Sequence, residues 1–427
     1  MMKKYLLKPA AALCCVMTMA VFTACVNDSV DNPVIGPVIP EVKNYAERLV
    51  PVTDPQGNPQ GSVILRFYDD MPSVAYVSIS NFQSSLKEKG LDQALQDYGQ
   101  AGQMTRELLK SENMYDYIAG TATLGWLLND GGHTYTDATV ISMIDKESTF
   151  WTEMDQVKNA KLDEFYSYCP EYKDVLAVMQ DRYAFRQELQ KKRTAKMGKD
   201  VKYYKEGETA YCWFDSFMCD DSGWRKFYRG EAPKPTADDY PNDWLIALVD
   251  ALEKAENDPE VKNFVLDIST NGGGSSDVVS FITSIFCNKA DLPYENTLTG
   301  QRIKCTYDVD RNLDGKIDEK DAEVKYHLNF ALLVSPYSFS CGNLLPALLK
   351  DYGIPLIGKR SGGGSCAVLF NPSADGFGYR YSTHRSRLTN TKGQNIDEGI
   401  EPDYELDADD FYNIPKVTQL IESYYSK

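Results

Sequence analysis

Three times between residues 260 and 365, an apolar run of strand length ends in a glycine- or serine-rich turn. Residues 263–268 run into Ser269-Thr270-Asn271-Gly272-Gly273-Gly274, and helical spacing follows over 278–286. Residues 330–334 run into the serine-rich turn before 344–351, again of helical pattern, and 355–357 run into the glycine cluster 362–364. Short buried strands alternating with helices predict an α/β layer architecture with a largely parallel sheet. In such sheets, functional turns sit at the carboxyl ends of the strands, where these turns lie.

Upstream the pattern is different. Residues 63–67 and 74–79 are β-branched and apolar around Asp69-Asp70, which predicts two strands. Helical periodicity covers 84–112 with a break at Gly90, and an apolar stretch over 117–128 leads into Asp130-Gly131-Gly132-His133-Thr134. Residues 155–198 are charged and rich in helix formers, a helical insert, before a strand at 211–217 and an amphipathic helix at 243–255. The expected organisation is an N-terminal α/β part over 45–150, the insert over 151–200 and a core over 201–427.

The N-terminus addresses the compartment. Lys3 and Lys4 precede a mostly apolar stretch, residues 6–22, that ends in Phe22-Thr23-Ala24-Cys25. This reads as a secretory signal peptide over 1–24. Its end resembles a bacterial lipobox, which implies cleavage before Cys25, lipidation of that cysteine and a tether over 25–44. The expected location is the outer membrane or cell surface, with the lipid as the membrane contact. No other stretch approaches the ~20 apolar residues of a spanning helix. A net charge of −17 argues against a nucleic-acid partner, because phosphate binding needs a basic surface. The remaining cysteines show no zinc spacing and read as small buried apolar residues.

Nucleophilic catalysis needs an exposed nucleophile, a base, an orienting acid and amide donors for the oxyanion. Ser340, in Ser338-Phe339-Ser340-Cys341-Gly342-Asn343, lies between a buried strand and a helix, whose N-terminus offers free N–H groups. Of the three histidines, His327 leads into a core strand, His384 lies among Arg385 and Arg387, and His133 occupies a glycine turn.

These segments resemble, in order, the motifs of the C-terminal-processing (tail-specific) serine peptidase family. Phe264 to Gly274 resembles the strand ending in D-L-R-x-N-G-G-G, and Ser338 to Asn343 the nucleophile turn. Gly399-Ile400-Glu401-Pro402-Asp403 resembles the closing G-[IV]-x-P-D, and Asp130 to Thr134 the D-G-H-T turn. The resemblance implies a crotonase-like (ClpP-like) core and an endopeptidase acting on peptides or unfolded proteins. Many members use a Ser–Lys dyad, but the corresponding place here is Gly364-Ser365. The chain resembles instead the branch typified by the tricorn core. That implies Ser340 as nucleophile, His133 as base, Glu398 (with Asp397 as the alternative) as orienting acid, and Gly273 with the Cys341 amide as oxyanion donors. No PDZ-like segment is evident. The rival reading is a catalytically inactive, calcium-stabilised surface binding protein on the same fold.

Calcium enters from a separate motif. Residues 310–321 place Asp310, Asn312, Asp314, Asp318 and Asp321 at positions 1, 3, 5, 9 and 12 of an EF-hand-like loop. Gly315 holds the sixth position, and Lys316 would contribute its carbonyl. The expected cofactor is a structural Ca²⁺.

Overall fold

The computed structural model describes residues 89, 91–127, 135–137, 148–199, 202–218, 222–296, 299–372 and 378–427. Cys25, the tether, the strands expected at 63–67 and 74–79, and the His133 turn lie outside these residues. The chain divides into two compact units, 1–177 with 367–384, and 178–366 with 385–427.

In the first unit, α1 (Leu91–Asp97), α2 (Gly99–Leu109) and α3 (Met114–Leu127) precede β1 (Tyr135–Asp137) and α4 (Ser148–Tyr168). The break expected at Gly90 lies outside the described residues; α1 and α2 are separated at Tyr98, after which Gly99 takes φ +62°, a conformation that glycine adopts without a Cβ penalty. The fully buried Phe165 and Tyr172 centre this unit's core, with Trp126 edge-on to Tyr172. The stretch expected as one insert is two helices: α4 and α5 (Glu171–Met197) are separated at Cys169-Pro170, and the unit boundary falls within α5. Among the described residues no helix is long and apolar enough to cross a membrane.

The second unit is built on a six-stranded sheet. Its chain order is β2 (Tyr203–Glu206), β3 (Thr209–Trp213), α6 (Ser222–Tyr228), α7 (Trp244–Glu256), β4 (Asn263–Asp267) and α8 (Ser276–Cys287). Then come β5 (Asp291–Glu295), β6 (Arg302–Thr306), β7 (Asn329–Val334), α9 (Cys341–Asp351) and β8 (Leu356–Gly358). Most of β9 (Cys366–Pro372) and of β10 (Gly378–Leu388) belongs to the first unit, and the second unit closes with β11 (Tyr404–Glu405) and α10 (Ile414–Tyr425). Strand order is β11-β8-β7-β4-β3-β2, and every neighbouring pair is parallel except β2 with β3. The expected α/β class, with a parallel-rich sheet, is therefore the observed one.

Why the strands read as nearly continuous apolar runs is plain from the two cores. Ala210, Cys212, Phe264, Leu266, Phe330 and Leu332 face one core, which includes α8 and α9 residues such as Ile282 and Leu345. Tyr211, Trp213, Val265, Ala331 and Leu333 face the other, with Leu189, Val417 and Ile421 of α5 and α10. A sheet covered on both faces has no polar side to alternate. Asp243 caps α7 by accepting the Ile246 N–H at 2.8 Å, and Ser275 caps α8. The antiparallel hairpin β5–β6 stands apart from the main sheet and leads into the acidic loop 310–321.

Candidate active site

Parallel register brings the carboxyl ends of β4 and β7 side by side, with Asp267 opposite Leu333. The two turns are then stitched together. Ser338 Oγ donates to the Ile268 carbonyl at 2.8 Å, and the Phe339 N–H donates to the Asn271 carbonyl at 3.3 Å. A third turn joins them, for the Ser340 N–H donates to the Gly363 carbonyl at 2.9 Å and Gly362 N–H to Ser338 O at 2.7 Å. All three glycine- or serine-rich turns singled out in the sequence meet at Ser340.

Ser340 is half-buried and immediately precedes α9, with φ 57° and ψ −120°. Left-handed φ at a non-glycine residue costs roughly 1–3 kcal/mol and persists where the surroundings over-determine it. Here both backbone groups are fixed: the N–H by Gly363, and the carbonyl by the amides of Asn343 and Leu344. Strand, sharp turn and helix thus present the hydroxyl at the positive end of α9, as nucleophile turns require. The neighbouring Cys341 does not compete. Its side chain is buried, burial pushes the thiol up to about 12, and Sγ donates to the Gly274 carbonyl at 3.0 Å.

The two expected oxyanion donors differ. Cys341 opens α9, and among the described residues no acceptor takes its N–H. Gly273 lies against the serine, since a Cβ there would sit 2.8 Å from Ser340 Cβ and 2.8 Å from the Phe339 carbonyl. Its φ of +108° also requires glycine. Its N–H, however, donates to Asn271 Oδ1 at 2.7 Å, while Asn271 Nδ2 donates to the Phe214 carbonyl at 2.6 Å. In this arrangement Gly273 supplies close approach, and the Cys341 amide is the unengaged donor.

The two acid candidates also separate. The Glu398 side chain is 90% exposed and lies 3.6 Å from the Arg360 guanidinium. Asp397 is turned inward: Oδ1 accepts the Ser365 N–H at 2.7 Å and the Ser365 hydroxyl at 3.0 Å, and its carbonyl accepts the Gly364 N–H at 3.2 Å. Asp397 therefore belongs to the turn that pairs with Ser340, and Glu398 faces away. Sequence proximity hid this, because neighbouring residues of the turn closed by the Gly399 N–H on the Ile396 carbonyl have different surroundings.

Beneath the glycine turn lies a network the sequence did not announce. Arg193 of α5 makes a forked pair with Asp215, at 2.7 Å and 2.5 Å, and donates to Thr270 Oγ1 at 3.2 Å. Its guanidinium also lies 3.8 Å from Asp267, which accepts from Ser269 N–H and Oγ and from the Tyr412 hydroxyl. Burial pushes the Asp267 carboxyl up, and the Arg193 charge and the Ser269 hydrogen bonds oppose that push.

In the acidic loop, the carboxylates turn to the loop's own amides. Asp310 accepts from Asp314 and Gly315, Asn312 Oδ1 from Asp314, and Asp321 from Arg311, Asn312 and Asp318. Burial pushes Asp321 up, but these amides and the Arg311 charge hold it below the usual carboxylate range. Asp314 Oδ1 accepts the Lys316 N–H at 3.0 Å. Among the described residues no three His, Cys, Asp or Glu side chains are grouped to hold a metal. Each carboxylate oxygen carries a second lone pair.

A strained serine at a helix N-terminus is set against a glycine turn over a parallel sheet, and the class is that of α/β proteins with a parallel-rich sheet. Residues 242–406 match the model of peptidase family S41. No curated protein matches the chain. Among solved structures, a photosystem II D1 C-terminal processing protease is similar at 20% identity and TM-score 0.32, over 47% of this chain and 42% of its own. A putative S41 protease from Bacteroides fragilis is similar at 17% identity and TM-score 0.35, over 52% of this chain and 56% of its own. A lipoprotein from Streptococcus agalactiae is similar at 14% identity and TM-score 0.46, over 86% of this chain and 97% of its own. The chain thus spans about half the length of the first two.

Proposed function

We propose that the protein is a serine endopeptidase that hydrolyses peptides or unfolded proteins through an acyl-enzyme on Ser340. The observation carrying this reading is the left-handed backbone of Ser340 at the start of α9, in contact with Gly273. The S41 domain match over the same residues supports it, as does the order of the sequence motifs. In the proposed mechanism His133, assigned by resemblance, takes the serine proton, and the Cys341 amide with the α9 N-terminus binds the oxyanion. Asp397, rather than Glu398, is proposed as the acid that steadies the base. The crotonase-like core, export through the signal peptide and lipid anchoring at Cys25 belong to the same proposal.

A fluorophosphonate serine probe tests this directly. The full chain is expected to label, and Ser340→Ala and His133→Ala to lose labelling. A folded wild type that stays unlabelled would favour the inactive binding protein. Asp397→Asn should slow labelling by at least about tenfold, on the scale of a lost charge-assisted hydrogen bond, with Glu398→Gln within twofold of wild type by roughly the same measure. The reverse order would restore Glu398 as the acid.

Calcium at residues 310–321 is also proposed, as a structural ion. Added calcium should raise the melting temperature over an EGTA-treated sample, by about 2.7 kcal/mol of stability at a hundredfold excess over Kd. Asp310→Ala should abolish the difference. An identical melt with and without calcium would remove the ion from the proposal.

A further inference from the structure

The arginines of the second unit divide into two kinds. Arg193 is forked onto Asp215, Arg387 donates to Glu295 at 3.0 Å, and Arg311 donates to Asn288, to the Asp321 carbonyl and to the Val324 carbonyl. Each of these three cations has acceptors. Arg182 and Arg186 differ. They lie one turn apart on α5, so their side chains share a face. Among the described residues neither has an acidic partner, and the buried Arg186 Nε has no hydrogen-bond acceptor. Burial pushes the Arg182 guanidinium down, with no anionic neighbour opposing it.

Arg186 stands beside the turn that carries Ser340, with Arg182 one helical turn before it. The Arg186 guanidinium carbon lies 4.6 Å from the centre of the Tyr337 ring, and Tyr183 meets the same ring edge-on at 5.5 Å. Tyr337 is three residues before Ser340, and its ring lies 3.4 Å from where a Cβ on Gly272 would stand. Gly272 is followed by Gly273, which touches Ser340. On the preceding turn of α5, Val178 and Met179 are 52% and 41% exposed. The face therefore offers apolar surface, an aromatic platform and two like charges without a counter-charge. Like charges one turn apart repel, and the cation–π contact with Tyr337 does not neutralise Arg186.

Resting on the peptidase reading, we propose that Arg182 and Arg186 form a subsite beside Ser340 that binds a carboxylate of the substrate peptide. A guanidinium fork matches a planar carboxylate in two parallel hydrogen bonds, and the apolar turn before it accepts the neighbouring side chain. The carboxylate is either the free C-terminus or an Asp or Glu side chain; the chemistry is the same, and the experiment separates them.

The test is peptide retention on the full chain carrying Ser340→Ala, which does not require turnover. A proteome-derived peptide mixture is offered in three forms: untreated, amidated at the C-terminus only, and methyl-esterified at every carboxyl. Retained peptides are identified by mass spectrometry. Esterification is expected to cut retention by about tenfold or more, the scale of a lost charge-assisted pair. Amidation reproduces the loss if the C-terminus is read, and leaves Asp- and Glu-containing peptides retained if a side chain is. Arg182→Gln and Arg186→Gln should remove the discrimination, while Arg186→Lys, which keeps the charge, should restore part of it. Equal retention of untreated and esterified peptides, discrimination that survives both glutamine variants, or no retention at all would overturn the subsite. Carboxylate-dependent retention by a chain whose wild type never labels at Ser340 would support the subsite and sink the peptidase reading.

Discussion

Arg193→Met is expected to lower the free energy of unfolding by about 3–5 kcal/mol, because it strands charges in a closed site. The Arg193 side chain is 9% exposed, Asp215 13% and Asp267 1%. Both carboxylates lose their cation, while Asp267 keeps only Ser269 and Tyr412 as donors. The pH dependence follows from the raised carboxyl of Asp267. An acid whose pKa is higher folded than unfolded holds more protons when folded between the two values. It therefore favours folding toward acid and costs stability as pH rises through its folded pKa. Without Arg193 that pKa rises further, so the deficit should be largest near neutrality and shrink toward about pH 4, where the unfolded carboxyl also protonates. Denaturant melts of wild type and variant across this range measure it. A deficit that is constant with pH would mean the loss is packing against Trp213, whose ring centre lies 5.1 Å from the guanidinium, rather than charge.

Gly273→Ala is expected to slow labelling of Ser340 by about a hundredfold or more, the scale of an ångström's misplacement at a reacting group. The added methyl meets the Phe339 carbonyl and Ser340 Cβ at 2.8 Å each, and neither is a flexible chain end. Relief requires the nucleophile turn to back away from the glycine turn. The φ of +108° adds backbone strain. Gly300→Ala is the control: its φ is +69°, yet a Cβ there meets nothing within 4 Å. It should cost some stability and leave labelling unchanged. Normal labelling of Gly273→Ala would mean that the close approach is not needed for chemistry.

Much of this was legible in the chain itself. Strands β4, β7 and β8 announced themselves because a parallel sheet with helices on both faces leaves no polar positions, and their turns announced themselves because glycine and serine tolerate sharp backbone. The Ser338–Asn343 turn stood out by its resemblance to a family motif, and the closeness of Gly273 followed from its place in a glycine run. The hairpin β5–β6 was silent, since β6 is exposed along most of its length and carries no alternating pattern. α10 was missed for want of a strong boundary signal, although Asn413 and Pro415 do mark its start.

Sequence alone determined the layer architecture, because it is written in local periodicity, and it singled out the Ser340 turn through its resemblance to a family motif. Tertiary structure decided the rest: Asp397 inward and Glu398 outward, Gly273's amide held by Asn271, and Arg193 seated under the glycine turn while Arg182 and Arg186 have no carboxylate partner among the described residues. These are choices of direction and partner between segments far apart in the chain. Only the packing of strands, turns and helix α5 fixes which side chain points where.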